Sequence, residues 1–416
     1  MFENKNELPK VILVSVDTGE FDVERSLEEL EELVRTAGAE VVAKATQKRP
    51  TRDVATCVGP GRLEEIGELC EQLEADQIIF DHELTATQIR NIEKVIKVHT
   101  IDRTMLILDI FAQRATTKEG RLQVELAQQR YRLPRLAGMG VQLSRLGGGI
   151  GTRGPGETKL ETDKRHIRTR IENLNAELKE IEKRRELTRI RRKKDNVLIA
   201  AIVGYTNVGK STLLNTLTEA GVLAENKLFA TLETTSRSIE LPDGRSVLLV
   251  DTVGLIRRLP HHLVEAFKST LEEASNADVI LHICDASAED VDEQAKVTLE
   301  LLAELGCENI PVITVLNKCD IAPNVSTLED SENTVKISAK NGEGLEKLLN
   351  AIAKALPQSS RRMKLLLPYD KAGILNKIRE DGKIFAEEYV SNGISVDALV
   401  DIKIYSQVEE FKDNSN

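Results

Sequence analysis

Gly204-Tyr205-Thr206-Asn207-Val208-Gly209-Lys210-Ser211 is a G-x-x-x-x-G-K-S run, and its flanks decide what it can be. Before it, Val197 to Val203 is an unbroken apolar stretch that predicts a buried parallel strand. After it, Lys210-Ser211-Thr212-Leu213-Leu214 opens a helical pattern. A strand, a glycine loop and a helix in that order make a cradle for phosphate. The glycines let successive backbone N–H groups curl around an anion, and the helix N-terminus adds positive dipole behind them. In such a cradle Lys210 reaches the β- and γ-phosphates and the Ser211 hydroxyl sits on magnesium. The alternative, a glycine-containing turn before an ordinary helix, is disfavoured by that full context.

Two more loops extend the reading downstream. Val247 to Val250 predicts a buried strand ending in Asp251-Thr252-Val253-Gly254. An acid there can hold magnesium through water, and the Gly254 N–H can turn toward a γ-phosphate, which ties the following loop to nucleotide state. Val312 to Leu316 predicts another strand, ending in Asn317-Lys318-Cys319-Asp320. The Asp320 carboxylate can accept from both the N1–H and the exocyclic amine of guanine. Adenine would leave it unpaired. Ser338-Ala339-Lys340 follows a short strand and suits a loop that closes over the base.

At 416 residues the chain is expected to form two to four domains. Its five cysteines (Cys57, Cys70, Cys284, Cys307, Cys319) are scattered without metal-ligand spacing, as expected of reduced thiols in the cytoplasm. The N-terminus lacks a signal-peptide layout, and no apolar run is long enough to span a bilayer, so integral membrane association is not expected. Tryptophan is absent and aromatics make up 3%, which argues against a base-stacking platform.

Net charge is −11, yet Gln113 to Lys194 holds 22 Lys+Arg against 10 Asp+Glu, a local +12, which leaves −23 for the rest. An acidic protein with one basic segment points to a directed anionic partner. Within that segment Ile167, Ile171, Leu174, Leu178 and Ile181 step by four and three, a coiled-coil-like seam, and Glu119 to Leu133 offers an antiparallel partner. The connection between them carries eight glycines (Gly138, Gly140, Gly147, Gly148, Gly149, Gly151, Gly154, Gly156). The helix ends in a basic run before the phosphate-loop strand. A solvated helix face is the plain reading; joined to a basic glycine-rich arm, contact with RNA phosphate is favoured. Arg145, Arg153, Arg184, Arg185, Arg191, Arg192, Lys193 and Lys194 are the candidates.

The expected architecture is multidomain α/β. Residues 1–104 alternate strands (Val11 to Val16, Glu40 to Ala43, Gln77 to Phe80) with amphipathic helices (Leu27 to Ala37, Leu63 to Leu73), giving a small parallel α/β unit. Residues 105–195 form the basic helical hairpin with its glycine-rich arm. Residues 196–357 form the nucleotide-binding domain, and 358–416 a small α/β domain with two or three strands and one helix.

The ordered loops resemble those of GTPases of the translation-factor class. Leu146-Gly147-Gly148-Gly149-Ile150-Gly151-Thr152-Arg153-Gly154-Pro155-Gly156-Glu157-Thr158 looks like the signature of HflX-type GTPases, as do Phe229-Ala230-Thr231-Leu232, Val58-Gly59-Pro60-Gly61-Arg62 and Asp102-Arg103-Thr104. The resemblance implies a cytoplasmic GTPase that binds the large ribosomal subunit through its N-terminal part and splits or rescues stalled ribosomes under stress. It implies GTP and GDP as ligands, magnesium as cofactor and a monomeric chain. It brings Phe229, Ala230 and Thr231 to the nucleotide, with Thr231 joining Ser211 and Asp251 at magnesium and joining Lys210 and Gly254 in catalysis. This chain departs from the family by having Glu233-Thr234-Thr235 where Asp-Pro-Thr is usual, which loosens the placement of Thr231. Leu255 follows Gly254 where Ras-like proteins have a water-orienting glutamine, so slow intrinsic hydrolysis and outside help are expected. Asn207 fits a potassium-coordinating asparagine or a neutral loop residue. His261 and His262 read as a helix start rather than catalysts. Two rivals stand beside this reading. One is a GTP-gated regulator outside translation. The other is an RNA-remodelling enzyme with a phosphate site at Gly59-Pro60-Gly61-Arg62.

Overall fold

The computed structural model describes residues 8–143, 159–195, 197–218, 228–229, 234–258, 273–321, 333–357 and 360–412. The chain divides into two compact units. The first comprises residues 1–186, 225–233 and 253–270; the second comprises 187–224, 234–252 and 271–416.

The first unit is built on a four-stranded parallel sheet, order β2-β1-β3-β4, from β1 (Lys10–Asp17), β2 (Glu40–Lys48), β3 (Gln77–Phe80) and β4 (His99–Asp102). Strand β1 is apolar at nearly every position because both its faces are covered, and Val11 to Val16 are fully buried. Helix α1 (Val23–Ala37) starts at Asp22, whose carboxylate accepts from the N–H groups of Glu24 and Arg25, and ends at Gly38 with φ 86°. Helix α2 (Pro60–Leu73) begins with proline at its first turn, and the Gly59 N–H donates to Gln47 Oε1 at 2.8 Å. That donor is therefore engaged inside the fold, so the Gly59-Pro60-Gly61-Arg62 turn has a structural role. Helix α3 (Ala86–Ile96) carries a Thr85/Gln88 capping box.

Helix α4 (Arg103–Arg114) takes its N-cap from Asp102, which accepts from Met105 N at 2.9 Å and from Leu84 N at 2.9 Å. The Asp102-Arg103-Thr104 motif is thus a structural hub. Arg103, almost fully buried, reaches Asp81 at 3.1 Å and Glu29 at 2.7 Å.

Helices α5 (Lys118–Leu143) and α6 (Lys159–Lys194) form the expected antiparallel hairpin. Leu122, Leu126 and Leu174 are its buried seam, with Ile171, Leu178 and Ile181 packed against them. Arg170–Glu125 at 2.7 Å, Arg185–Glu119 at 3.0 Å and Lys118–Glu177 at 3.6 Å set the register. The glycine-rich arm, with Arg145 and Arg153, lies outside the described residues.

The second unit contains a six-stranded sheet, order β10-β9-β8-β5-β7-β6. Its strands are β5 (Leu198–Gly204), β6 (Thr235–Glu240), β7 (Ser246–Asp251), β8 (Val279–Asp285), β9 (Val312–Asn317) and β10 (Thr334–Lys336), parallel except for the β6–β7 hairpin. Every residue of β5 is buried, as the sequence predicts for a central parallel strand. Helices α7 (Lys210–Thr218), α8 (Val291–Glu304) and α9 (Leu345–Ala355) belong to the same unit. A three-stranded antiparallel sheet follows, with β13 (Gly393–Asp401) between β11 (Ser360–Leu367) and β12 (Lys383–Val390). Helices α10 (Gly373–Asp381) and α11 (Ile402–Val408) are packed with it, one helix more than the sequence predicted.

This last sheet is seated on the β6–β7 hairpin. Gly244 at the turn has φ 85°, and a Cβ there would lie 2.4 Å from Phe385 Cζ. Lys383 pairs with Glu240 at 2.6 Å. Arg245, 5% exposed, donates to Pro357 O at 2.8 Å and also to the Ala353 carbonyl. Among the described residues, no helix is long and apolar enough to cross a membrane.

Candidate functional site

The loops singled out in the sequence converge at the C-terminal ends of β5, β7 and β9. Gly204 ends β5 with φ 156°, and a Cβ there would lie 2.3 Å from the Ile283 carbonyl oxygen on β8. Gly209 has φ 96°, and its Cβ would lie 2.3 Å from Asn317 Nδ2. Both glycines are required by close neighbours as well as by backbone conformation. Asn207 is left-handed, φ 62°, a conformation asparagine tolerates better than most residues, which is a backbone reason for its presence.

Lys210 opens α7 and is buried. Its ammonium donates to Gly204 O at 3.1 Å and Tyr205 O at 2.5 Å, so the side chain folds back over its own loop. Burial pushes its pKa down to about 8, only partly opposed by the charge of Asp251. Ser211 Oγ donates to Asp251 Oδ2 at 2.9 Å, and Asp251 is 1% exposed at the end of β7. A hydroxyl and a carboxylate this close offer two hard oxygen ligands, a donor set that fits magnesium. Thr252 is anchored to the sheet by its hydroxyl, which donates to Ile202 O at 2.7 Å.

The candidate base-reading loops are tied to the candidate phosphate loop. Asn317 Nδ2 donates to Val208 O at 2.7 Å, and Asn317 Oδ1 accepts from Ala339 N at 2.9 Å. Thr216 on α7 donates through its hydroxyl to Ala339 O at 2.8 Å, closing the circuit. Thr216 was not singled out in the sequence, since a threonine in a helix carries no signal of a partner 123 residues away. Ser338 and Ala339 are buried, while Asp320 and Lys340 are exposed.

Several further candidates fall into the first unit. Phe229, with φ 54°, packs edge-on against Phe111 at 4.6 Å, and Leu228 N donates to Thr36 Oγ1 at 3.2 Å. The Phe229 ring is thus a core group, and only its backbone is left to approach a ligand. Ala230, Thr231, His261 and His262 lie outside the described residues. Leu255 is 3% exposed, an apolar side chain in the position after Gly254. Arg257 and Arg258 follow on a buried ionic cluster. Arg258 reaches Asp81 at 2.7 Å and stacks over Phe21 at 3.7 Å, and Arg257 N donates to Glu29 at 3.1 Å.

Of the basic candidates, Arg184, Arg191 and Lys194 are exposed, and Arg192 is half-buried. Arg185 pairs with Glu119 across the hairpin, which directs its charge inward. The Lys193 side chain lies outside the described residues.

A phosphate loop, an acid at the neighbouring strand end and an Asn-Lys-x-Asp loop on one parallel sheet define a P-loop GTPase. Comparison with known proteins agrees along the whole chain. Residues 24–112 match the GTP-binding GTPase N-terminal family, 114–192 the GTP-binding GTPase middle region, and 199–318 the 50S ribosome-binding GTPase family. GTPase HflX of Caldanaerobacter subterraneus is 51% identical over 411 residues, covering 99% of this chain and 95% of that protein. GTPase HflX of Lacrimispora saccharolytica is 51% identical, covering 100% and 99%. GTPase HflX of Escherichia coli is 43% identical over 374 residues, covering 88% of each. The chain belongs to the HflX family of GTPases.

Proposed function

We propose that this GTPase engages the large ribosomal subunit in its GTP state and leaves it after hydrolysis, with splitting or rescue of stalled ribosomes as the outcome. The observation that carries this reading is the basic end of α6, where Arg184, Arg191 and Lys194 stand exposed immediately before the phosphate-loop strand. The match of residues 199–318 to a family described as ribosome-binding supports it.

In the reaction, water attacks the γ-phosphorus in line and the bond to the β-phosphate oxygen breaks. Backbone N–H groups of residues 205–210 orient the phosphates, and Lys210 leaves its loop carbonyls to neutralise developing charge. Ser211, Asp251 and Thr231 are the residues that would hold magnesium. The ion, when bound, supplies further charge neutralisation. Leu255 cannot orient water, so the group that does so comes from elsewhere, and ribosomal contact is the proposed trigger. A potassium ion at Asn207 is a second candidate for that charge. It would show as faster hydrolysis in potassium than in sodium, lost in Asn207→Ala.

The test is cosedimentation with purified large subunits. With a non-hydrolysable GTP analogue the chain should pellet with subunits, and with GDP it should stay in solution. Reversing Arg184, Arg191 and Lys194 to glutamate should weaken binding by about tenfold or more and flatten its dependence on salt. Binding unchanged by the reversal and by salt would reject the α6 contact.

A further inference from the structure

Asp285 belongs to none of the nucleotide-binding loops. It ends β8 in register with Asn317 on β9, and Ala286 N donates to Asn317 O at 2.9 Å. At the next residue, Lys318, the chain turns through the left-handed region with φ 63°. This sends its ammonium back to Asp285 Oδ2 at 2.7 Å. Both side chains are largely shielded, 29% exposed for Lys318 and 16% for Asp285. The other carboxylate oxygen accepts from Ser287 N at 3.0 Å and Ser287 Oγ at 2.5 Å. The carboxylate is therefore held from one side and holds the lysine from the other.

We propose that Asp285 is a positioning residue for the guanine pocket, fixing the Lys318 ammonium so that the lysine stem forms a standing wall beside the base read by Asp320. This rests on the assignment of Lys318 and Asp320 to the nucleotide. A lysine without a partner samples many rotamers and loses that freedom each time a ligand packs on its stem. The Asp285 pair removes the freedom before nucleotide arrives, and the shielded site keeps the pair from being screened away. Because Lys318 sits at the base end of the site, the effect falls on nucleotide residence and spares the chemical step.

Stopped-flow dissociation of a fluorescent GDP analogue from the full chain tests this. Asp285→Asn keeps an oxygen for Ser287 and removes the charge that holds Lys318. It should release GDP about tenfold faster, with single-turnover hydrolysis changed by less than about twofold. Asp285→Glu should recover part of the loss, and Ser287→Ala should release GDP within about twofold of the parent. Combined with Lys318→Ala, Asp285→Asn should add nothing, whereas damage to the fold would add to it. Rapid release from Lys318→Ala with parental release from Asp285→Asn would overturn the role of Asp285, as would additive losses. Parental release from Lys318→Ala itself would instead overturn the guanine assignment of this loop, and the proposal with it.

Discussion

Lys210→Ala is expected to lower single-turnover GTP hydrolysis by about a hundredfold or more. The side chain is buried at the start of α7 with its ammonium on two carbonyls of the loop it must leave to reach phosphate. Truncation removes charge where negative charge grows in the transition state and opens a buried gap that water fills. The same burial predicts a pH signature. With its pKa pushed down to about 8, Lys210 in the nucleotide-free chain loses its charge above that pH. A bound polyphosphate favours the charged form, so binding takes up a proton and GTP affinity should fall up to about tenfold per pH unit above 8. For folding, the cost of burying the ammonium is present in full below about pH 8 and is relieved as pH rises toward the ordinary lysine value of 10.5. Calorimetry in buffers of different ionisation enthalpy would show the proton uptake. Affinity that stays level from pH 7 to 9.5 would contradict it.

Asp81→Ala should lower the unfolding free energy of the first unit by about 3–5 kcal/mol, the range for leaving a buried charge without its partner. Asp81 has a fully buried side chain and accepts from Arg103, Arg258, Ser15 and Ser26. Burial works against its charge, and Arg103 and Arg258 overcome that, holding the carboxyl below its ordinary range. Without it Arg258 loses its carboxylate partner, and buried Arg103 is left with the Glu29 carboxylate beside a second guanidinium. Arg258 lies four residues after Gly254, so the change should also release the chain segment that runs from Val253 to Arg258. Hydrogen exchange would then rise across residues 253–258 as well as in β3. A loss under about 1 kcal/mol, or exchange confined to β3, would show that the cluster does not hold that segment.

The geometry of the candidate nucleotide site was legible because its signals are local. Gly204 and Gly209 sit at fixed spacing from Lys210, and the structure shows the cause of each in a neighbouring carbonyl or amide that excludes a Cβ. The apolar run of β5 reported a strand covered on both faces for the same reason. What stayed hidden depends on contacts between distant residues. Asp285 meets Lys318 across a strand pair, Thr216 meets Ala339 over 123 residues, and Arg245 meets Pro357 over 112. An acid, a threonine and an arginine of this kind look like surface residues until register is known. Arg185 read from its basic run as a phosphate contact, and its pairing with Glu119 depends on a hairpin register that the sequence does not state. The Gly59-Pro60-Gly61-Arg62 turn had the composition of an anion site, and the bond from its Gly59 N–H to Gln47 could not be read from composition.

We propose above that the large ribosomal subunit completes this GTPase. The most direct test is the rate of GTP hydrolysis with and without purified large subunits, in potassium buffer. Hydrolysis should be slow alone and stimulated by about tenfold or more, saturating with subunit concentration and weakening with salt. A rate unchanged by saturating subunits would contradict this role and send the search for the missing water-orienting group to another partner.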